Sequence, residues 1–156
     1  PIIRIMPNTP VLLGKGMTLY TTSNHVTAEL EKTFVDMMTP CGLLDKLPEA
    51  KIDAASALSG CGPAYVYMFA NALADAGVAC GLTRKQALTY AAQTLLGSAS
   101  MIMETDRHPM ALKDAVCSPG GSTIEGVHVL EDQNLDKLVL DALTAAYKRT
   151  KELAGE

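Results

Sequence analysis

AYVYMFANALADAGVACG, residues 64–81, is apolar apart from Asn71 and Asp75. A helix that is apolar nearly all round belongs inside a larger body of protein. Broken by two polar side chains and closed by Gly81, a natural residue just past a helix end, it reads as a buried helix and not a membrane span. Just upstream, SGCGPAY (Ser59–Tyr65) is expected to interrupt or kink a helix that starts at Glu49. Its GxG invites comparison with a dinucleotide loop, but the context refuses it. Tyr65 stands where the third glycine belongs, the preceding segment is helical, and Asp75 comes too early for a ribose-binding acid. A glycine-rich kink that lets helices approach closely is what remains.

Downstream the chain stays helical. Thr83 to Gln86 fits a capping box, opening a helix whose apolar stripe is Leu88, Ala91, Ala92, Leu95, Leu96, Ala99, Ile102 and Met103. His108–Pro109 starts a short helix ending near Cys117. The last helix places Leu135, Leu138, Val139, Ala142, Leu143, Ala146 and Tyr147 on one face. Lys148, Arg149 and Lys151 sit near its C-terminus, where the helix dipole favours cations.

Upstream of Pro48 the texture differs. Three strand-like segments, Ile2–Met6, Met17–Thr21 and Gly42–Leu47, surround a helix expected to be capped by Ser23 or Asn24 and stopped by Pro40. The fold class is therefore mostly α: residues 1–48 form a small α/β remnant, and residues 49–156 an all-helical domain. The chain begins without Met, inside an apolar run and with no signal-peptide pattern, and is expected to be a piece of a larger protein.

Composition narrows the classes. With 48% hydrophobic and 4% aromatic residues the core must come from Ala, Leu, Val, Ile and Met, and a mean hydropathy of +0.15 points to burial against another copy. A net charge of −4 argues against nucleic acid or an anionic membrane as partner. Cys41, Cys61, Cys80 and Cys117 show no CxxC, which fits reduced thiols in the cytoplasm. His25, His108 and His128 form no metal-binding pair, so no metal is expected.

Two stretches offer ligand chemistry. MPNTP (Met6–Pro10) follows a strand, where ligand loops gather in open α/β sheets, although it would also serve as an ordinary turn. CSPGGSTIEG (Cys117–Gly126) is the stronger: with Ser118 as N-cap and Pro119 as first helical residue, the N–H groups of Gly120, Gly121, Ser122 and Thr123 would point outward. Such an end favours a carboxylate or phosphate. With Lys113 the one nearby cation, a small singly charged group suits it better than a polyphosphate. The residues alone leave a ligand site and a plain helix–turn–helix equally open.

LKDAVCSPGGSTIEGVHVLE, together with MPNTP, LSGCGPAYVYMFANALADAGVACGL, LLGSASM and HPMALKDAV, resembles the sequence blocks of pyrroline-5-carboxylate reductases over essentially the whole chain. The resemblance implies that residues 1–48 end a Rossmann domain whose glycine-rich cofactor loop is missing here, and that residues 49–156 dimerise and bind substrate. It implies reduction of the C=N bond of 1-pyrroline-5-carboxylate to L-proline by NADPH or NADH. The partner is a second copy through interleaved helices, with further assembly of dimers. By match to the family's motif, the loop of Ser118, Gly120, Gly121 and Ser122 binds the substrate carboxylate, and Thr123 is the catalytic residue at the ring nitrogen. Glu49 and Asp114 line the substrate pocket. Pro7, Asn8 and Thr9 flank the nicotinamide, and Ala115 matches a position near the cofactor that is Asn in some members. No His or Lys is placed as general acid, so water or an already protonated imine is expected. The alternatives are a non-catalytic helical oligomerisation module and a reductase of a related cyclic imine.

Overall fold

A computed structural model describes residues 1–155, which group into two compact units: Pro1–Tyr65 with the chain from Asp141 onward, and Val66–Leu140. In the first unit, β1 (Ile3–Pro7) pairs antiparallel with β2 (Gly16–Thr22), with Ile5 opposite Tyr20. β3 (Gly42–Lys46) pairs parallel with β2, with Leu19 opposite Asp45. A 3₁₀ turn, Thr9–Leu13, connects β1 to β2. The parallel pair needs a crossover, which α1 (Ala28–Met38) supplies. β2 is the central strand, and Thr18, Leu19 and Tyr20 are all buried there. The Tyr20 ring meets Phe34 of α1 at 5.1 Å.

α1 begins later than Ser23 or Asn24, the caps expected from sequence. Thr27 is the N-cap, its hydroxyl accepting from Leu30 N–H. Ser23 is diverted: its hydroxyl accepts the Ile2 N–H at 3.0 Å, and its carbonyl closes a turn with Val26 N–H. Glu29 and Glu31 in the first turn suit the positive helix end. Pro40 falls in the 3₁₀ turn Thr39–Cys41 that follows the helix.

Of the interruption or kink expected at Ser59–Tyr65, the interruption is absent. α2 runs unbroken from Glu49 to Ala79 with Pro63 inside it. The close approach that its glycines were expected to allow is not made among the described residues. A Cβ on Gly62 would meet nothing, and one on Gly60 only Ser56 of the same helix. Gly62 has a local reason instead: a residue before proline clashes with the ring through its Cβ when helical, and glycine has none.

In the second unit, α2 ends in a Schellman motif. Gly81, at φ +99°, donates to Val78 O, and Leu82 N–H reaches Gly77 O at 3.0 Å. α3 (Arg84–Glu104) opens with the expected capping box: Thr83 and Gln86 exchange side-chain and backbone bonds. Ala74 of α2 and Ala87 and Ala91 of α3 are buried, and a Cβ on Gly77 would lie 3.0 Å from that of Ala87. Small residues thus set the contact between these two helices. α4 (Pro109–Val116) is capped by His108, whose ring nitrogen accepts from Met110 N–H. α5 (Ser122–Asp132) and α6 (Leu135–Ala154) complete the chain. The expected inner stripes of α3 and α6 are largely uncovered: Leu96 is 56% exposed, Leu138 61% and Val139 56%.

Candidate functional site

The loop between α4 and α5 is a turn followed by a helix start, one step later than expected. Ser118 is not the N-cap and Pro119 is not the first helical residue. Ser118 to Gly121 form a β-turn closed by Gly121 N–H donating to Ser118 O at 3.0 Å. Pro119 takes the second position and Gly120 the third, at φ +68°, the residue order of a type II turn. A left-handed Gly120 cannot be helical, so the helix waits for Gly121, an extended N-cap without a side chain. The Gly121 N–H is consumed by the turn. Donors left for a ligand are that of Gly120 in the turn and those of Ser122 and Thr123 in the first helical turn, which have no carbonyl four residues back within the helix. Both side chains are exposed. A Cβ on Gly121 would meet Ser118 Oγ, which can rotate away, and lie 3.1 Å from Ser118 O, so a side chain there would press on the turn.

Asp114 and Ala115 lie on α4, one turn before this loop, and both are exposed. Lys113 approaches Asp114 at 3.4 Å and Glu131 of α5 at 3.5 Å. The Asp114 contact leads in raising the Lys113 pKa above the usual lysine value. The one cation expected near the loop is thus held charged and shared between two carboxylates. It also lines a cavity of about 360 Å³ with Met110, Val127, Leu130 and Asn134, to which none of the expected site residues contributes.

The other expected residues belong to the first unit. Pro7 ends β1 and Thr9 starts the 3₁₀ turn, both exposed. Asn8 between them has both ends of its amide engaged: Nδ2 donates to Ser59 O at 3.0 Å, and Oδ1 accepts from Met17 N–H at 2.9 Å. Glu49, at the start of α2, pairs with the Arg4 guanidinium, which also reaches Asp53 at 3.2 Å. These contacts, the Glu49 bond first, raise the Arg4 pKa. Glu49 and Ser59 are ten residues apart on one helix, about 15 Å along its axis, so Glu49 and Asn8 meet separate stretches of α2. Arg4 and Asp53 did not stand out in the sequence. Pro63, four residues after Ser59, was the available signal for an unpaired carbonyl at Ser59.

Among the described residues no three His, Cys, Asp or Glu side chains group as a metal site, and no helix is long and apolar enough to cross a membrane. All four cysteines are unpaired.

Residues 49–153 match the family model described as pyrroline-5-carboxylate reductase dimerisation. Similar curated proteins include pyrroline-5-carboxylate reductase 2 of Bos taurus, 45% identical over 97% of this chain and 48% of the relative. Another is the pyrroline-5-carboxylate reductase of Escherichia coli, 44% identical over 98% of this chain and 57% of the relative. The chain thus spans about half the length of the curated relatives it matches. Among solved structures, Plasmodium falciparum pyrroline carboxylate reductase with NADP bound superposes with a TM-score of 0.91 at 39% identity, covering 97% of this chain and 62% of that one. The Coxiella burnetii pyrroline-5-carboxylate reductase gives the same TM-score and identity, over 97% of this chain and 57% of the other.

Proposed function

Because the chain belongs to the pyrroline-5-carboxylate reductase dimerisation family, we propose that its protein reduces 1-pyrroline-5-carboxylate to L-proline with NADPH or NADH. The observation that carries this is 44–45% identity to named reductases along nearly the entire chain. Residues 1–48 are assigned to the end of the dinucleotide-binding domain. Residues 49–156 are assigned to dimerisation and substrate binding, in line with the family match starting at 49. We place the protein in the cytoplasm as a homodimer, with dimers open to further assembly.

In this assignment the Ser118–Thr123 segment receives the substrate carboxylate. The N–H groups of Ser122 and Thr123 aim at the anion with the positive helix end behind them. Ser118 and Gly120 hold the turn that presents these donors, and the hydroxyl of Ser122 adds a further bond. Thr123 orients the ring nitrogen and is the one residue assigned a catalytic role. Asp114, and Glu49 in its pairing with Arg4, line the pocket. Lys113 is bound by two carboxylates and is not assigned as an acid; the proton on nitrogen comes from water or is present on the imine beforehand.

This chain's fit to a dinucleotide is limited to a few residues. It carries no GxGxxG loop, and the exposed Pro7, Thr9 and Ala115 are its candidates for flanking the nicotinamide. The reduced nicotinamide, when bound, supplies the hydride. The chain's own task is to hold the imine still and aligned, the main requirement when the acceptor is already a cationic C=N.

The test is steady-state oxidation of NADPH and NADH by the full-length protein with five- and six-membered cyclic imino acids. Faster turnover of the five-membered substrate is expected. Preference for the six-membered ring reassigns the substrate, and no turnover with either leaves an oligomerisation module.

A further inference from the structure

Pro63 sits fifteen residues into α2 and has no N–H to give to the carbonyl four residues back, that of Ser59. A proline ring inside a helix also crowds the carbonyl four residues back. A half-buried carbonyl left so is costly unless another donor arrives. The donor is Asn8, from the connection after β1: Nδ2 reaches Ser59 O at 3.0 Å. The other end of the amide accepts the Met17 N–H at 2.9 Å, at the start of β2. The orientation is unambiguous, since a flipped amide would set oxygen against oxygen at Ser59 and N–H against N–H at Met17. An unbroken helix through proline and a loop tethered to it are thus two sides of one hydrogen bond.

We propose that Asn8 is a positioning residue: by donating to Ser59 O, the carbonyl that Pro63 deprives of its N–H four residues on, it fastens the Pro7–Thr9 loop to α2 and so sets where that loop meets the dinucleotide. The consequence for the dinucleotide rests on the reductase assignment above; the hydrogen bond does not. Asn8 acts through the loop backbone, because its amide is committed at both ends to the chain itself.

The test uses Asn8→Ala, Pro63→Ala and the double variant in the full-length protein, with urea unfolding at fixed concentration and NADPH titration by fluorescence. Pro63→Ala restores an N–H to the helix, which gives Ser59 O a partner of its own and releases Asn8. Asn8→Ala is expected to lower the folding equilibrium constant about fivefold or more, the low end for the two hydrogen bonds it loses, and by clearly less once residue 63 is Ala, when only the Met17 bond is at stake. Each single variant is expected to raise the NADPH dissociation constant about threefold or more, and the double variant no further than the larger single effect. Additive effects in both readouts overturn the proposal. So does an NADPH affinity lowered by Asn8→Ala and untouched by Pro63→Ala, which would mean direct contact. Pro63→Ala introduces a better helix former, so that arm reports even if Asn8→Ala fails to fold. Because NADPH binding needs no turnover, a protein that reduces no imine sinks the reductase assignment and leaves this test intact.

Discussion

At Gly120 a single dihedral decides where α5 begins. With φ at +68° and no atom within 4 Å of where a Cβ would stand, the cost of a side chain there is conformational and not steric. Gly120→Ala is therefore expected to destabilise by about 1–2 kcal/mol, the penalty of an L-residue in the left-handed region, read as a lower urea midpoint. Gly121 is a poorer probe of ligand approach, because a Cβ there would also press on Ser118 and the turn. Thr123 separates structure from chemistry better. Its side chain is exposed at the second helical position, so Thr123→Ala should leave stability within about 0.5 kcal/mol. If the hydroxyl holds the ring nitrogen, the same change should lower kcat/KM by a factor equivalent to about 0.5–1.5 kcal/mol, or about 1.5–3 against a charged imine. The loss should fall mainly on kcat if the contact tightens in the transition state. Wild-type kinetics in a normally folded Thr123→Ala would remove the residue from its assigned role.

Among the elements, β2, α1 and β3 are tied by one polar chain under the sheet edge: Tyr20 OH donates to Glu31, which pairs with Lys46 at 2.7 Å. The Lys46 bond leads in lowering the Glu31 pKa, and burial leads in raising that of Tyr20. A depressed carboxyl contributes stability above its unfolded pKa, near 4.5, that is lost as pH falls through the folded value. A raised phenol contributes stability that is full below about pH 10 and lost as pH rises through its folded value. Tyr20→Phe keeps the ring against Phe34 and removes the hydroxyl. It should lower the urea midpoint at pH 7 and flatten the loss above pH 10; an unchanged alkaline branch would sink the linkage. The three strands were legible to within about a residue, and so were the capping box that opens α3 and both ends of α4, because these follow from local residue types. What failed locally was met by distant partners at two places and by a competing turn at a third. Ser23 lost its capping role to Ile2 N–H, and the helix continues through Ser59–Tyr65, where Asn8 donates to Ser59 O. Ser118 lost the start of α5 because Gly120 and Pro119 fit a turn better than a helix. At the candidate site, composition picked out the glycine turn and the loop after β1, but the pairing of Glu49 with Arg4 is a tertiary contact that no spacing reveals.

For the whole molecule, the decisive fact is what the chain leaves uncovered. Val66, Tyr67, Met68 and Phe69 are consecutive on α2 and all exposed, Met68 at 73%. Four consecutive residues span most of a helix circumference, so this stretch is apolar and open on several sides at once. A helix of that kind is stable only when enclosed. The uncovered stripes on α3 and α6, with Leu96, Leu138 and Val139 exposed, add apolar surface of the same character. A second copy is the occupant expected from the family's dimerisation match, and interleaving α2 from two chains would enclose it on more than one side. Sedimentation at micromolar concentration should therefore give at least twice the chain mass of 16.5 kDa. Met68→Ala should weaken the association by about 1–2 kcal/mol per copy, from the side chain's lost burial. In a twofold assembly the loss counts twice, since the same residue is removed from both sides. A rise in the dissociation constant of roughly one and a half to three orders of magnitude is then expected, with secondary structure unchanged. A wild-type chain that sediments as a soluble monomer, or a Met68→Ala chain that associates as tightly as wild type, would show that α2 is covered in some other way.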